Sequence, residues 1–189
     1  MNDHLDSYRT RLIDAFNFLN SNNLGVLANA MRDAWSADQT IYFCGNGGSA
    51  GNAIHLANDF IYGAGLNYGK GLKVEALSSN PAVLTCLAND IGYDHIYAEQ
   101  IRVKAVQNDI LVTLSGSGNS PNILKALEMG NSLGVKTFAI LGFDGGKAKE
   151  LAQNVIHIPV DDMQIAEDFQ LIIGHICMQW LCQNSPSEK

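Results

Sequence analysis

The chain has 189 residues, 47% of them hydrophobic, and a formal net charge of −7 from 12 Lys+Arg against 19 Asp+Glu. That length reads as one domain, large enough to bury a core without disulfides or a structural metal. An acidic balance without a Lys/Arg run excludes nucleic acid as an expected partner, and no apolar stretch approaches the ~20 residues that span a bilayer, so no membrane is expected either.

The segment MNDHLDSYRTRL carries no basic stretch followed by an apolar one. No secretory signal is therefore expected, and the cytoplasm is the expected compartment. The polar ends, Met1–Ser7 and Asn184–Lys189, are expected to lack order of their own. Leu12, Phe16 and Leu19 then mark one apolar helical stripe, and Leu24–Trp35 a second, with Leu27, Met31 and Trp35 on one face. Ser21-Asn22-Asn23 separates the two and can cap the second. Residues 1–36 thus form a helical arm that must cover either its own domain or another subunit.

From residue 37 to 183 the pattern alternates. Thr40–Cys44, Leu72–Leu77, Ile110–Ser115, Thr137–Leu141 and Val155–Ile158 are short runs rich in β-branched or aromatic residues and read as strands. Helical patterns fall between them at Ser49–Tyr62, Ala82–Asn89, Tyr97–Val106, Pro121–Leu133 and Lys147–Gln153, and Met163–Cys182 closes the chain. Strands alternating with helices predict an α/β domain with a parallel sheet covered on both faces, and such sheets bind ligands at the carboxyl ends of their strands. The four cysteines, Cys44, Cys86, Cys177 and Cys182, have no CxxC spacing and are expected as buried free thiols.

Two loops concentrate the chemistry, each after a predicted strand and before a predicted helix: Cys44-Gly45-Asn46-Gly47-Gly48-Ser49 and Ser115-Gly116-Ser117-Gly118-Asn119-Ser120. Glycines bring backbone N–H groups close to an anion, and a helix start adds unpaired donors. Hydroxyls of Ser115, Ser117 and Ser120 complete a neutral cup suited to phosphate. Neither loop is a Walker loop, and neither matches a dinucleotide fingerprint.

A second constellation is acid–base. His55 and Asp59 lie four apart on one helix face. Glu167 and His175 lie eight apart on the last helix, about 80° around its axis, and are expected to converge on one ligand. These four residues suit a Zn²⁺ ion and equally suit a general acid–base set.

The motifs GNGGSA followed by His55, SGSGNSPN, Asn89-Asp90-Ile91-Gly92-Tyr93, the Gly142–Gly146 turn and AEDFQLIIGH together resemble the SIS phosphosugar-binding proteins, and within them the phosphoheptose isomerases. The resemblance implies a three-layer αβα sandwich around a five-stranded parallel sheet in a single SIS domain, 1–189. It implies a homotetramer packed through the N-terminal helices, and isomerisation of sedoheptulose 7-phosphate to D-glycero-D-manno-heptose 7-phosphate through an enediol for bacterial surface-glycan heptose. It places Ser115, Gly116, Ser117 and Ser120 at the phosphate, and Asn46, Gly47 and Ser49 near the sugar. Asp90 matches an active-site aspartate, with Glu167 also at the substrate. Asp59 and His175 are the implied catalytic pair, and His55, Asp59, Glu167 and His175 the implied ligands of one Zn²⁺ per subunit.

Three departures from the family pattern stand out. Asp59 replaces a Glu, Glu167 replaces a Gln, and Gly116 replaces a Thr. They keep open two alternatives: isomerisation of another phosphosugar, and a non-catalytic phosphosugar-binding or assembly protein.

Overall fold

The computed structural model describes residues 1–66 and 69–186. Two helices lead, α1 (Asn2–Phe16) and α2 (Ser21–Ser36), followed by β1 (Thr40–Gly45) and α3 (Gly48–Asn58). A π-helical turn, Asp59–Gly63, extends α3 directly. Then come β2 (Lys73–Ala76), α4 (Pro81–Asp90), a 3₁₀ turn at Tyr93–His95, α5 (Ala98–Lys104), β3 (Ile110–Ser115) and α6 (Pro121–Ser132). The chain continues through β4 (Lys136–Leu141), α7 (Ala148–Leu151), β5 (Asn154–His157) and α8 (Met163–Gln183).

The five strands pair in parallel in the order β2-β1-β3-β4-β5. Successive side chains of a strand point to opposite faces, and both faces are buried. Ile41, Phe43, Ile110, Val112, Leu114, Phe138 and Ile140 enter the layer under the flanking helices α2, α3 and α8, with Leu27, Leu56, Phe169 and Ile173. Tyr42, Cys44, Leu111, Ala139 and Leu141 enter the opposite layer, with Ile101, Ile123 and Leu127 from α5 and α6. This is the expected three-layer sandwich.

Several boundaries differ from expectation. Residues 2–7 are helical, as the first part of α1; expected disorder at 187–189 lies outside the described residues. Leu19 falls beyond the end of α1. The cap of α2 is Asn20, whose side chain accepts from the Asn22 amide at 2.8 Å, and Ser21–Asn23 form the first turn instead. In the arm, Leu27, Met31 and Trp35 are buried in their own chain, while Phe16 stays 44% exposed and meets Phe169 edge-on at 5.0 Å. Tyr8 also donates to Asp168, and Arg11 pairs with Asp162, so α1 is tied to the start of α8. Of the four free cysteines, Cys44 and Cys177 are buried as expected. Cys86 is exposed and Cys182 half-buried, a correction that follows from α4 having no buried residue and from the place of Cys182 in the last turn of α8.

The π-turn has a local logic. The Ala64 amide donates to the Asp59 carbonyl, five residues back, which passes over the carbonyl of Phe60. That carbonyl accepts instead from Leu72, just before β2. Phe60 itself is fully buried and stacks on Phe43 of β1.

Candidate active site

Strand order reverses between β1 and β3, and a crevice opens at such a switch point beyond the strands' carboxyl ends. Both sequence-predicted loops leave the sheet there. A cleft of about 270 Å³ is lined by Asn46, Gly47, Gly48 and Ser49 from the first loop and by Ser115, Gly116, Ser117 and Ser120 from the second. Met163 and Glu167 of α8 complete its wall.

The second loop is held from several sides. The Ser115 hydroxyl oxygen accepts from the Gly118 amide at 3.0 Å, and that of Ser117 from the Asn119 amide at 3.3 Å. Asn119 accepts from the Lys147 amide at 3.1 Å, and the Gly118 carbonyl accepts from Ala148 at 2.9 Å. Gly118 has φ +65°, and a Cβ there would drive into the Gly145 carbonyl. Only glycine meets both demands. Gly116 lies beside Met163, whose sulfur would be 2.6 Å from an added Cβ. The space that a threonine would take is filled by the thioether.

Helices α3 and α8 run side by side in the same direction, and Gly174 lets α8 close on Leu56 of α3. Positions 48, 52, 55 and 59 share a face of α3 by helical spacing. They meet α8 along a polar seam. At its first end the Glu167 carboxylate sits against Gly48, where a side chain would displace it. In the middle, Asn52 donates to the Glu167 carbonyl at 3.0 Å and to Gln170 Oε1 at 2.9 Å. Gln170 in turn donates to the Ser49 hydroxyl at 2.9 Å. At the far end His55 Nε2 and His175 Nε2 are 3.1 Å apart, and Asp59 Oδ2 is 3.4 Å from the first and 3.3 Å from the second.

The structure therefore brings together three of the four residues expected as a metal set. His55, Asp59 and His175 each offer a ligand atom within 4.8 Å of the others, and Glu167 is not in this group. Eight residues of helix rise about 12 Å, so Glu167 and His175 reach opposite ends of the seam despite their similar bearing. Two imidazoles and a carboxylate can hold a divalent ion with an open position, or move protons. A tetrahedral zinc with bonds of about 2.0–2.1 Å would place its ligand atoms roughly 3.3 Å apart, close to the separations found.

Asp90 is exposed at the end of α4, where it accepts from Asn89 at 2.8 Å and from the Cys86 thiol at 3.5 Å. From the same stretch it is Tyr93 that reaches the first loop, donating to Asn46 Oδ1 at 3.0 Å. Asn52, Asn122, Met163 and Gln170 were not singled out by sequence reasoning. Asn122 ends the SGSGNSPN motif, and Gln170 lies inside AEDFQLIIGH; membership of these motifs is the sequence signal for the two.

Residues 6–142 match the SIS domain family model. The chain belongs to the SIS domain family. A phosphoheptose isomerase of Helicobacter pylori (strain Shi470) is 42% identical over 136 residues, covering 72% of this chain and 70% of that protein. The phosphoheptose isomerase of Akkermansia muciniphila is 33% identical over 178 residues, 93% of this chain and 94% of its own. Among solved structures, phosphoheptose isomerase GmhA from Neisseria gonorrhoeae superposes with a TM-score of 0.88 at 25% identity, covering 96% of this chain and 98% of that one. The SIS architecture expected from the sequence is thus borne out, and among SIS proteins the chain groups with phosphoheptose isomerases.

Proposed function

We propose that the protein is a sugar-phosphate isomerase that interconverts sedoheptulose 7-phosphate and D-glycero-D-manno-heptose 7-phosphate, supplying heptose for a bacterial surface glycan. The observation that carries the reading is the polar seam between α3 and α8, with an anion cup at one end and a two-histidine, one-carboxylate group at the other. From Gly48 to His55 the helix rises about 10 Å. An extended seven-carbon phosphate spans ~10 Å from phosphorus to C1 with carbon–carbon bonds of ~1.5 Å. A substrate anchored by its phosphate among Ser115, Gly116, Ser117 and Ser120 would therefore present C1 and C2 to His55, Asp59 and His175. Asn46, Gly47 and Ser49 would border the sugar between.

Isomerisation moves a proton from C1 to C2 through an enediol. Asp59 Oδ2 is turned to the two imidazoles, which leaves Oδ1, 3.3 Å from the Asn58 amide, to take the carbon proton and return it. His175 passes protons between the two sugar oxygens. The separations in the triad fit zinc, with His55, Asp59 and His175 as its holders; bound there, it would polarise the substrate carbonyl. Glu167, at the cup end, contributes to the cleft wall.

The protein is placed in the cytoplasm, where sugar phosphates are found, and no helix among the described residues is long and apolar enough to cross a membrane. We place it there as a homotetramer, supported by exposed Leu5, Ile13, Phe16, Phe18 and Val26 on and around the N-terminal helices. An apolar groove between α2 and α8, lined by Leu24, Ile176 and Trp180 among others, continues that surface. The deciding experiment is an isomerase assay of the purified protein against ketose 7-, 6- and 5-phosphates. Turnover of the 7-phosphate ahead of the shorter sugars is expected; preference for a five-carbon substrate would overturn the length argument.

A further inference from the structure

Asn46 faces the substrate cleft, yet it is bound closely from behind. Asn122, the second residue of α6, is 1% exposed. Its Oδ1 accepts from Asn46 Nδ2 at 2.9 Å, and its Nδ2 donates to Asn46 Oδ1 at 2.8 Å, closing two side-chain amides into a ring. The Tyr93 hydroxyl donates to the same Asn46 Oδ1 at 3.0 Å. A carboxamide has two N–H donors and one oxygen with two lone pairs. Both lone pairs of Asn46 are engaged and one N–H is used. One N–H remains, on a residue that lines the cleft beside Gly47 and Ser49.

We propose that Asn122 is a positioning residue for substrate recognition: through the amide ring it fixes Asn46 as a single N–H donor aimed at a sugar oxygen. The inference rests on the phosphosugar reading of the cleft. It adds a polarity to the sugar subsite. An oxygen that can accept is matched at that point, and a substrate lacking it leaves the N–H unpaired. The ring also ties the loop after β1 to the first turn of α6, which begins right after Ser120. The two halves of the cleft are thereby held at one spacing. Ring closure needs complementary amides, so an acid at position 122 would keep the shape and oppose its second oxygen to Asn46 Oδ1.

The test uses the full chain and calorimetric titration with two probes, sedoheptulose 7-phosphate and inorganic phosphate. The variants are Asn122→Ala, the isosteric Asn122→Asp, Asn46→Ala and the double variant Asn46→Ala/Asn122→Ala. Loss of one hydrogen bond predicts a 3- to 10-fold, roughly, weaker affinity for the sugar phosphate in either Asn122 variant, with inorganic phosphate bound as in wild type. The double variant should bind the sugar phosphate no more weakly than Asn46→Ala alone, because Asn122 acts through Asn46. If Asn122→Ala fails to fold, Asn122→Asp carries the test. Additive losses, wild-type affinity in the Asn122 variants, or equal loss for both probes would each overturn the proposal. A wild-type protein that binds neither probe would instead refute the phosphosugar reading, and the proposal would fall with it.

Discussion

His55, Asp59 and His175 stand 3.1–3.4 Å from one another, and substitutions there separate proton transfer from binding. His175→Ala and Asp59→Asn should each lower isomerase turnover by ~10²–10⁴-fold while leaving the melting transition in place, as expected for a general acid or base. Asp59→Glu lengthens the carboxylate by one methylene into the family's usual residue. Retained turnover would show room for the longer arm, whereas full activity in both His175→Ala and Asp59→Asn would refute the mechanism. At the other end of the seam, Ser117→Ala should weaken sugar-phosphate binding by ~1–2 kcal/mol, the scale of a hydrogen bond to a charged group. Equal affinity of variant and wild type in calorimetry would remove Ser117 from the phosphate site. The i,i+4 relation of His55 and Asp59 was legible from sequence because one helical turn fixes it. The grouping of Glu167 with His175 rested on angular bearing without axial rise; in the structure its carboxylate turns to Gly48, at the cleft end of the seam. Asn122 and Gln170 lie inside motifs visible in the sequence, yet their roles were not, since a buried amide shows its partners only after distant elements meet.

At the level of elements, the strands were legible because β-branched and aromatic runs between turn residues suit a sheet buried on both faces. Ends were less so. Asn20 and Ser21 are both good caps in sequence, and only the extended backbone at Asn20, with its side chain accepting from Asn22, decides between them. The attachment of α1 rests on Phe16 against Phe169, Tyr8 to Asp168 and Arg11 to Asp162. The hydrogen bond to Asp168 and its negative charge push the Tyr8 hydroxyl up to about 12. Phe169 is fully buried, so Phe169→Ala should destabilise the fold by ~3–5 kcal/mol in chemical denaturation. The same change should make α1 more sensitive to proteolysis. A loss under about 1 kcal/mol would mean that the surrounding helices close over the gap, contrary to a tightly packed α1–α8 contact.

Taken as a whole, the molecule places its cleft where strand order reverses, and this too followed from the two glycine loops succeeding two strands. Which apolar side chains face outward could not be read in the same way. The stripe Leu27, Met31 and Trp35 is spent on the chain's own core, while Leu5, Ile13 and Phe18 remain at the surface. A helical period marks an apolar face without naming what covers it. Light scattering at micromolar concentration should give the mass of four chains; a monomer of 20.4 kDa would refute the tetramer.

The π-turn after α3 carries a consequence for exchange with solvent deuterium. By skipping the Phe60 carbonyl, it ties the backbone beside Asp59 to Leu72, at the approach to the edge strand β2. The amides of Ala64 and Leu72 therefore depend on one another although eight residues separate them. Opening the turn releases both at once, and the carboxylate at its head loses its support with them. Local opening in this region is then cooperative, so Ala64 and Leu72 should share one protection factor, and fraying of the sheet edge should be felt at Asp59.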